Sequence, residues 1–299
     1  MGGSIPVVLR SVVCTWAIVA IACAAPSAPS PPRHVTAIQV TGSDTMINLL
    51  QAWAESYGTV RPEVTVRVVG GGSGVGIAAL IDGVTDIAAA SREISGEEFR
   101  RLSNARGTPQ DVVVALDALA VYVHASNPLR AVTVAQLAEI YGDGGAISRW
   151  SQLALPHPAC RSDRIVRVGR QNSSGTYMYF REVIVGRHRD YKLGSIDQSG
   201  SKDVVALVSR TPCAIGYSGL AYATPGVKAL AIGAGAASPV GPTATAVGDG
   251  SYVLARRLYF YTAGLPRAET AQFATWVRGA AGQRIAQQLG CVAVDTESE

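Results

Sequence analysis

Short β-rich segments alternate with segments of helical periodicity along most of this chain. The run VTAIQVTG ends at Gly42, and apolar residues then recur at helical spacing at Met46, Leu50 and Trp53. EVTVRVVGGG and TDIAAASRE repeat the pattern, each followed by a helical segment, and DVVVALDALAVYVH is long enough for a strand that crosses between two lobes. Because strands that alternate with helices favour parallel sheets, the sequence predicts an α/β fold with mostly parallel strands.

Three of the predicted strand-to-helix turns have the same chemistry. TGSDT, GGGSG and NSSGT each place a hydroxyl side chain and a glycine where a helix begins. A helix N-terminus has unpaired N–H groups and a partial positive charge. A serine before a helix is more often just a cap. Three such turns at the C-terminal ends of strands, with Arg170 four residues before Ser174, nevertheless favour a donor-rich pocket for a small oxyanion.

Other chemistries find less support in the sequence. GGGSGVG lacks the Gly-Lys pair of a P-loop, and GGSGV departs from the nucleophile elbow at Val75. None of the four histidines has a recognisable triad context or metal-ligand spacing, and there is no CxxC pair, so no metal site or cofactor is predicted. The net charge of +4 comes without a basic run, which gives little support to nucleic acid as a partner.

The N-terminal residues predict export. Arg10 precedes SVVCTWAIVAIACAA, an apolar run short of the roughly 20 residues that a membrane span needs, so residues 1–23 are interpreted as a signal peptide. AIAC resembles a bacterial lipoprotein box with Cys23 as the anchored residue, whereas cleavage after ACA would release a soluble protein. Residues 24–34, rich in Pro, Ser and Ala, are predicted to be a flexible tether.

Three cysteines follow the predicted anchor. An exported protein meets an oxidising compartment in which disulfides persist. Cys160 and Cys213 each lie just before an apolar segment in the middle of the chain and could pair, which would leave Cys291 buried and free. Sequence alone does not give connectivity, so the pairing stays open at this point.

Several motifs resemble one known family. TGSDT, GGGSGVG, AASRE and RQNSSGT, in this order, resemble the periplasmic phosphate-binding proteins of bacterial phosphate ABC transporters, as do VHASNPL, ISRWSQL, AIGYSGLAY and RRLYFYTAGLP. The similarity runs from about Val35 to Val294. It implies a two-lobe periplasmic-binding-protein fold of type II with a hinge of crossing strands. Residues 35–119 and 231–299 would form lobe 1, and residues 120–230 would form lobe 2.

The resemblance also implies which residues bind phosphate. Arg170 matches the arginine that contacts the anion, and Ser174 belongs to the helix start that follows it. Ser73 matches the serine of the Gly-rich loop, and Ser43 with its two neighbours matches the first helix start. The full implied set is Ser43, Asp44, Thr45, Ser73, Gly74, Asp86, Ser91, Arg92, Arg170, Ser174, Gly175 and Thr176.

One implied residue is an acceptor among these donors. Asp86 lies where the family places a carboxylate, but its spacing to Ser91 leaves open which of the two contacts the ligand. A buried carboxylate can accept a hydrogen bond from the P–OH of hydrogenphosphate, whereas sulfate has no such proton at neutral pH. Alternatively, Asp86 only caps its turn. Arg92 could pair with Asp86, brace the loop or lie in solvent.

These features predict an exported, monomeric receptor that clamps inorganic phosphate between two lobes and delivers it to an ABC permease. It would lie in the periplasm or on the outer face of the membrane, anchored there if Cys23 carries lipid. The alternatives are a receptor for sulfate, molybdate or arsenate, a phosphate sensor and, from a different class, a secreted serine hydrolase. The leading function needs no covalent chemistry, so the chain is not expected to be an enzyme.

Overall fold

The computed structural model describes residues 1–3, 35–153, 157–186, 188–235 and 237–294. The chain divides into two units, residues 1–33 and 34–299, and every strand and helix below belongs to the second. Cys23, the predicted tether and nearly all of the predicted signal peptide lie outside the described residues. In the described ranges, no helix is both long and apolar enough to cross a membrane.

The strands of the described residues form one large mixed sheet and one small pair. They are β1 (Thr36–Gly42), β2 (Val64–Val69), β3 (Ile87–Ala90), β4 (Pro109–His124), β5 (Ala131–Thr133), β6 (Val166–Arg170), β7 (Ile196–Gln198), β8 (Ala214–Gly219), β9 (Val227–Ala229), β10 (Ala231–Gly233) and β11 (Ala255–Ala263). The large sheet has the order β2-β1-β3-β11-β4-β8-β6-β7, with β9 also paired to β4. Strands β5 and β10 pair with each other in parallel.

Helices connect most of the strands, as the alternating sequence pattern predicted. They are α1 (Ile47–Val60), α2 (Ser73–Asp82), α3 (Gly96–Arg106), α4 (Val134–Tyr141), α5 (Gly175–Phe180), α6 (Ser201–Val208), α7 (Ala244–Gly248), α8 (Ala268–Arg278) and α9 (Ala280–Gln288). A π-helical turn, Arg181–Val185, continues α5.

Strand β4 is shared by the two ends of the large sheet. Its residues 109–118 pair with β11 and its residues 119–123 pair with β8, both antiparallel. We call β1, β2, β3 and β11, with α1, α2, α3, α8 and α9, the first half, and β6 to β9, with α4 to α6, the second half. Within each half the βαβ connections give parallel pairs, and the antiparallel strands are those that run between the halves.

Each half has its own apolar core. In the first half, alternate residues of β11 point to opposite faces of the sheet. Phe260 packs with Trp53 of α1 in one cluster, and Tyr261 packs with Leu102 of α3 in the other. Both faces are therefore covered by helices, which suits parallel strands.

In the second half, Phe180 stacks on Tyr217 with ring centroids 3.9 Å apart. Residues 231–254, which the resemblance assigned to lobe 1, contribute Ile232, Val247 and Leu254 to this same cluster. That packing favours a return of the chain to the first half at β11 rather than at residue 231.

Cys160 and Cys213 belong to the core of the second half, and Cys291 packs against the core of the first half. Cys160 and Cys213 form a disulfide in the structure. Cys291 is a free thiol and is partly buried.

Candidate anion-binding site

The C-terminal ends of four strands carry the polar residues that the sequence singled out. Ser43 follows β1, Ser73 begins α2 after β2, Ser91 follows β3, and Arg170 ends β6. Each of the four residues is at most 1% exposed. Because β1, β2 and β3 are neighbouring parallel strands, their carboxyl ends share one edge of the sheet. Arg170 belongs to the other half and reaches this edge through its bond to Asp44.

Main-chain atoms of the two halves touch at this edge. The N–H of Gly74 donates to the carbonyl of Ser173 (3.1 Å), and Ser173 Oγ donates to the carbonyl of Gly71 (3.1 Å). A Cβ atom at Gly72, where φ is 101°, would lie 2.5 Å from the Ser173 carbonyl oxygen, and one at Gly175 would lie 2.2 Å from Ser73 Oγ. Glycine is therefore required at both positions for this close approach.

The serine hydroxyls are partly used inside the protein. Ser73 Oγ accepts from the N–H of Ser91 (3.1 Å) and lies 3.5 Å from Ser91 Oγ. Ser174 is the N-cap of α5, and its Oγ accepts from the N–H of Thr176 (3.1 Å). In both cases a lone pair is occupied while the hydroxyl hydrogen stays available to donate.

Arg170 is fully buried. Its Nη1 donates to Ser201 Oγ (3.0 Å), and its Nη2 donates to the carbonyl of Ser199 (2.7 Å) and to Asp44 Oδ2 (3.0 Å). Burial lowers the pKa of Arg170, and the charge of Asp44 opposes that shift. An arginine held this way keeps its charge and presents it to the seam between the halves.

Asp44 contributes a carboxylate from the first half. Besides Arg170, its Oδ1 accepts from the N–H of Gly71 (2.8 Å). Tyr222, in the second half, donates to the carbonyls of Asp44 and Thr45 (both 3.0 Å). Asp44 is thus tied to both halves, and each of its carboxylate oxygens still has a lone pair free.

Two threonines meet across the same seam. Thr45 Oγ1 and Thr176 Oγ1 are 2.9 Å apart, although they belong to different halves. Arg256 of β11 donates to both hydroxyls, at 2.9 Å to Thr176 and 3.4 Å to Thr45. Its guanidinium also pairs with Asp117 of β4.

Contrary to the prediction, Asp86 does not lie at the strand end that carries the other predicted residues. It precedes β3, whereas Ser91 follows β3, and four strand residues at about 3.3 Å each separate the two ends. Its carboxylate accepts from the N–H of Gln39 (2.8 Å) and from Arg267 (3.0 Å). The structure therefore does not bring Asp86 to the other predicted residues.

Arg92 neither pairs with Asp86 nor lies free in solvent. Its two terminal nitrogens donate to both carboxylate oxygens of Glu98, at 2.8 and 2.6 Å. Glu98 is also part of the capping box that Ser95 forms at the start of α3. Arg92 therefore braces the loop after β3, and it borders a cavity of about 1200 Å³ that Arg256 also lines.

Two of the histidines have hydrogen-bond partners of their own. His124 bonds to Ser126 Oγ, and His157 bonds to the carbonyl of Pro212. Neither is bonded to a predicted site serine, as a hydrolase triad would require. Among the described residues, no group of His, Cys, Asp and Glu could hold a metal ion.

The chain is similar in sequence to known binding proteins. Residues 27–280 match the family model of the PBP superfamily domain. The chain is 32% identical over 283 residues to the phosphate-binding protein PstS of Pseudomonas aeruginosa, covering 88% of this chain and 87% of that protein. The chain belongs to the PstS family of the PBP superfamily. It is also 32% identical to the protein SphX of Synechococcus elongatus, over 75% of this chain and 67% of that protein.

Solved structures agree with the PstS assignment. A protein from Clostridium perfringens, described as a phosphate ABC transporter substrate-binding protein and crystallised with bound phosphate, matches with a TM-score of 0.77 and 26% identity, over 87% of this chain and all of that one. An ABC-type phosphate transport receptor from Vibrio cholerae matches with a TM-score of 0.69 and 26% identity, over 86% of this chain and 100% of that one. The α/β fold is that of type II periplasmic binding proteins, as predicted. These relatives are binding proteins of transporters and not enzymes.

Sequence reasoning missed Asp117 and Arg256 in this PstS-family chain. The signal that could have found them is a lone aspartate inside the apolar run DVVVALDALAVYVH. A charge in a buried strand needs a partner of opposite charge. The arginines of RRLYFY, in a predicted neighbouring strand, were the candidates.

Proposed function

We propose that this chain is an exported receptor that binds inorganic phosphate between two lobes and delivers it to an ABC permease. Membership of the PstS family supports the ligand and the transporter role. The observation that carries the proposal is Arg170. It is a fully buried guanidinium that donates to the Ser201 hydroxyl in its own half and to the Asp44 carboxylate of the other half. Charge-assisted hydrogen bonds from a guanidinium are the strongest that a small oxyanion can receive from neutral-pH side chains.

The donors have distinct roles. Arg170 supplies charge and the Nη1 hydrogen that its bonds leave free, and the anion would gain an Nη2 hydrogen by displacing Asp44. Ser43, Ser73, Ser174 and Thr176 supply neutral hydroxyl donors, and the main-chain N–H groups of the helix starts add to them. Neutral donors in a water-excluded site bind an anion without introducing further charges that would have to be buried.

We assign to Asp44 the acceptor role for which the sequence analysis considered Asp86. A carboxylate beside a fully deprotonated oxyanion repels it, but hydrogenphosphate brings a P–OH that a free carboxylate lone pair can accept. Sulfate leaves that lone pair facing a negative oxygen. We therefore assign discrimination of phosphate from sulfate to Asp44, which unlike Asp86 lies beside Arg170.

We propose that the two halves act as the two lobes, with β4 and β11 as the crossing strands. Binding would close the lobes through the contacts of Gly71 and Gly74 with Ser173, and opening would release the anion. The permease would then recognise the closed form. We also propose that the receptor is a monomer.

The proposed location is the periplasm or the outer face of the membrane. Lipid on Cys23 would tether the receptor there through residues 24–34. Intact-mass measurement of the membrane-extracted protein tests this, because a diacyl-modified Cys23 adds mass that trypsin treatment would confine to the N-terminal peptide. If the mature protein is unmodified, it is exported without a lipid anchor.

Calorimetric titration of the mature domain, stripped of endogenous ligand, tests the function. At pH 7 we expect tight binding of phosphate and no heat with sulfate. Equal binding of sulfate would contradict the acceptor role of Asp44 and favour a general oxyanion receptor. No heat with either anion would overturn phosphate as the ligand.

A further inference from the structure

The ion pair between Asp117 and Arg256 is buried where β4 and β11 pair. The two residues lie directly opposite each other in the antiparallel register. Both side chains are 1% exposed, and Nε and Nη2 of Arg256 donate to the same oxygen, Asp117 Oδ2, at 2.9 and 2.7 Å. The pair has no net charge, so it contributes little long-range attraction for an anion.

The guanidinium has a second set of partners on the seam side. Nη1 donates to Thr176 Oγ1 and Nη2 approaches Thr45 Oγ1. A guanidinium carries only donors, so neither hydroxyl hydrogen can point at Arg256. With the hydroxyls 2.9 Å apart, one donates to the other, and the second hydrogen has to point elsewhere.

A third hydroxyl, that of Ser201, is oriented in the same way by Arg170. Ser201 Oγ lies 3.5 Å from Thr45 Oγ1 and accepts from Nη1 of Arg170 at 3.0 Å. The Ser201 hydrogen therefore cannot point at Arg170. Two guanidiniums thus keep the hydrogens of three hydroxyls from pointing at them.

We propose that Arg256, fixed by Asp117, is a positioning residue that orients the hydroxyls of Thr176 and Thr45 so that the hydrogen not used between them donates to the anion. The inference rests on the proposed function. It gives a buried, electrically neutral pair a role in affinity that acts through two threonines rather than through charge. Without Arg256 each hydroxyl would be free to present a lone pair to the anion, which repels it.

The test uses the charge-neutral double variant Asp117→Leu/Arg256→Met. Replacing both members of a buried ion pair by apolar residues commonly preserves the fold. Phosphate titrations of wild type and double variant are made with and without Thr176→Val. In the wild type we expect Thr176→Val to weaken binding about tenfold or more, as for a lost hydrogen bond to a charged group. The double variant should weaken it similarly, and adding Thr176→Val there should change affinity less than about threefold, because coupled residues are not additive.

Three results would overturn the inference. The double variant could bind phosphate as tightly as the wild type while remaining folded by thermal melting. Thr176→Val could also weaken binding by the same factor in both backgrounds, which would show that Arg256 does not act through Thr176. Finally, the matched neutral pair Glu139→Gln/Arg189→Met, from an ion pair at 3.1 Å in the second half, could weaken binding as much.

If the double variant does not fold, Arg256→Lys replaces it. A lysine keeps the positive charge beside Asp117, but its single ammonium group cannot serve the carboxylate and both hydroxyls in the same geometry. The same non-additivity with Thr176→Val is expected, and full affinity in Arg256→Lys would contradict the inference. A wild-type protein that binds no phosphate would instead overturn the proposed function, and the inference with it.

Discussion

The seam between the halves and the centre of the sheet each contain an arginine–aspartate pair, and the two pairs differ in how they are held. Arg170 reaches Asp44 through one bond of 3.0 Å, and the Asp44 side chain is 15% exposed. Arg256 makes two bonds to Asp117, and both side chains are 1% exposed. The first pair joins elements that belong to different halves, whereas the second joins adjacent strands.

The difference separates a pair that a ligand can rearrange from one that it cannot. Water can reach Asp44, so breaking its bond to Arg170 leaves a carboxylate that is still partly solvated. Asp117 has no such access, and burial raises its pKa against the opposing effect of Arg256. One pair therefore suits binding and the other suits support, and the following variants test that division.

Breaking the central pair should have the largest effect on stability. Asp117→Ala leaves the Arg256 guanidinium buried without a counter-charge, which we expect to lower the free energy of unfolding by about 3–5 kcal/mol. Urea denaturation followed by circular dichroism measures it. Asp117→Leu/Arg256→Met should recover most of the loss, and a decrease below about 1 kcal/mol in Asp117→Ala would show that the pair is not buried as described.

Breaking the seam pair should act mainly on binding. Arg170→Met removes the charge and the donor fork, so phosphate affinity should fall about a hundredfold. The free energy of unfolding should fall less than in Asp117→Ala because Asp44 regains water. Arg267→Met is the matched control, since Arg267 also pairs with an aspartate at 3.0 Å but away from the site. If Arg170→Met binds phosphate as tightly as the wild type, Arg170 does not contact the anion.

The acceptor carboxylate can be tested with two equivalent substitutions. Asp44→Asn should reduce the ratio of phosphate to sulfate affinity by about tenfold or more, because an amide can donate to a sulfate oxygen where a carboxylate only repels it. Asp86→Asn should leave the ratio unchanged. Competition titrations with both anions at pH 7 measure the ratio, and the opposite ranking of the two variants would restore Asp86 as the acceptor.

The pair of Arg92 and Glu98 should give the smallest effect. Burial raises the pKa of Glu98, but the hydrogen bonds and charge of Arg92 outweigh it, so the net shift is downward. A lowered pKa stabilises the fold above the ordinary glutamate pKa of about 4.3 and is lost as pH falls through the folded value. Glu98→Gln should therefore be about 0.5–1 kcal/mol less stable than wild type at pH 7 and no less stable in acid. A difference that does not change with pH would assign the effect to the capping box alone.

Local signals predicted the α/β alternation and the polar helix starts of the candidate site, whereas the two-lobe organisation came from the family resemblance. Turn chemistry at Ser73 and Ser174 is written within a few residues, and both helices begin there. Asp86 was implied by the family resemblance, and its short spacing to Ser91 along the chain does not show that the whole of β3 separates them. Arg256 lies 139 residues from Asp117, so only the antiparallel register brings them together.

The contacts between Ser173 and the glycine loop have an evolutionary consequence. The acceptors there are the main-chain carbonyls of Gly71 and Ser173, and one of the donors is a main-chain N–H. Mutation can remove a side chain but not a peptide group, so this part of the seam is inherited with the backbone as long as glycine is retained. Related proteins can therefore differ in the side chains that recognise the anion, and so in the anion they bind, while the two halves keep the same main-chain contacts.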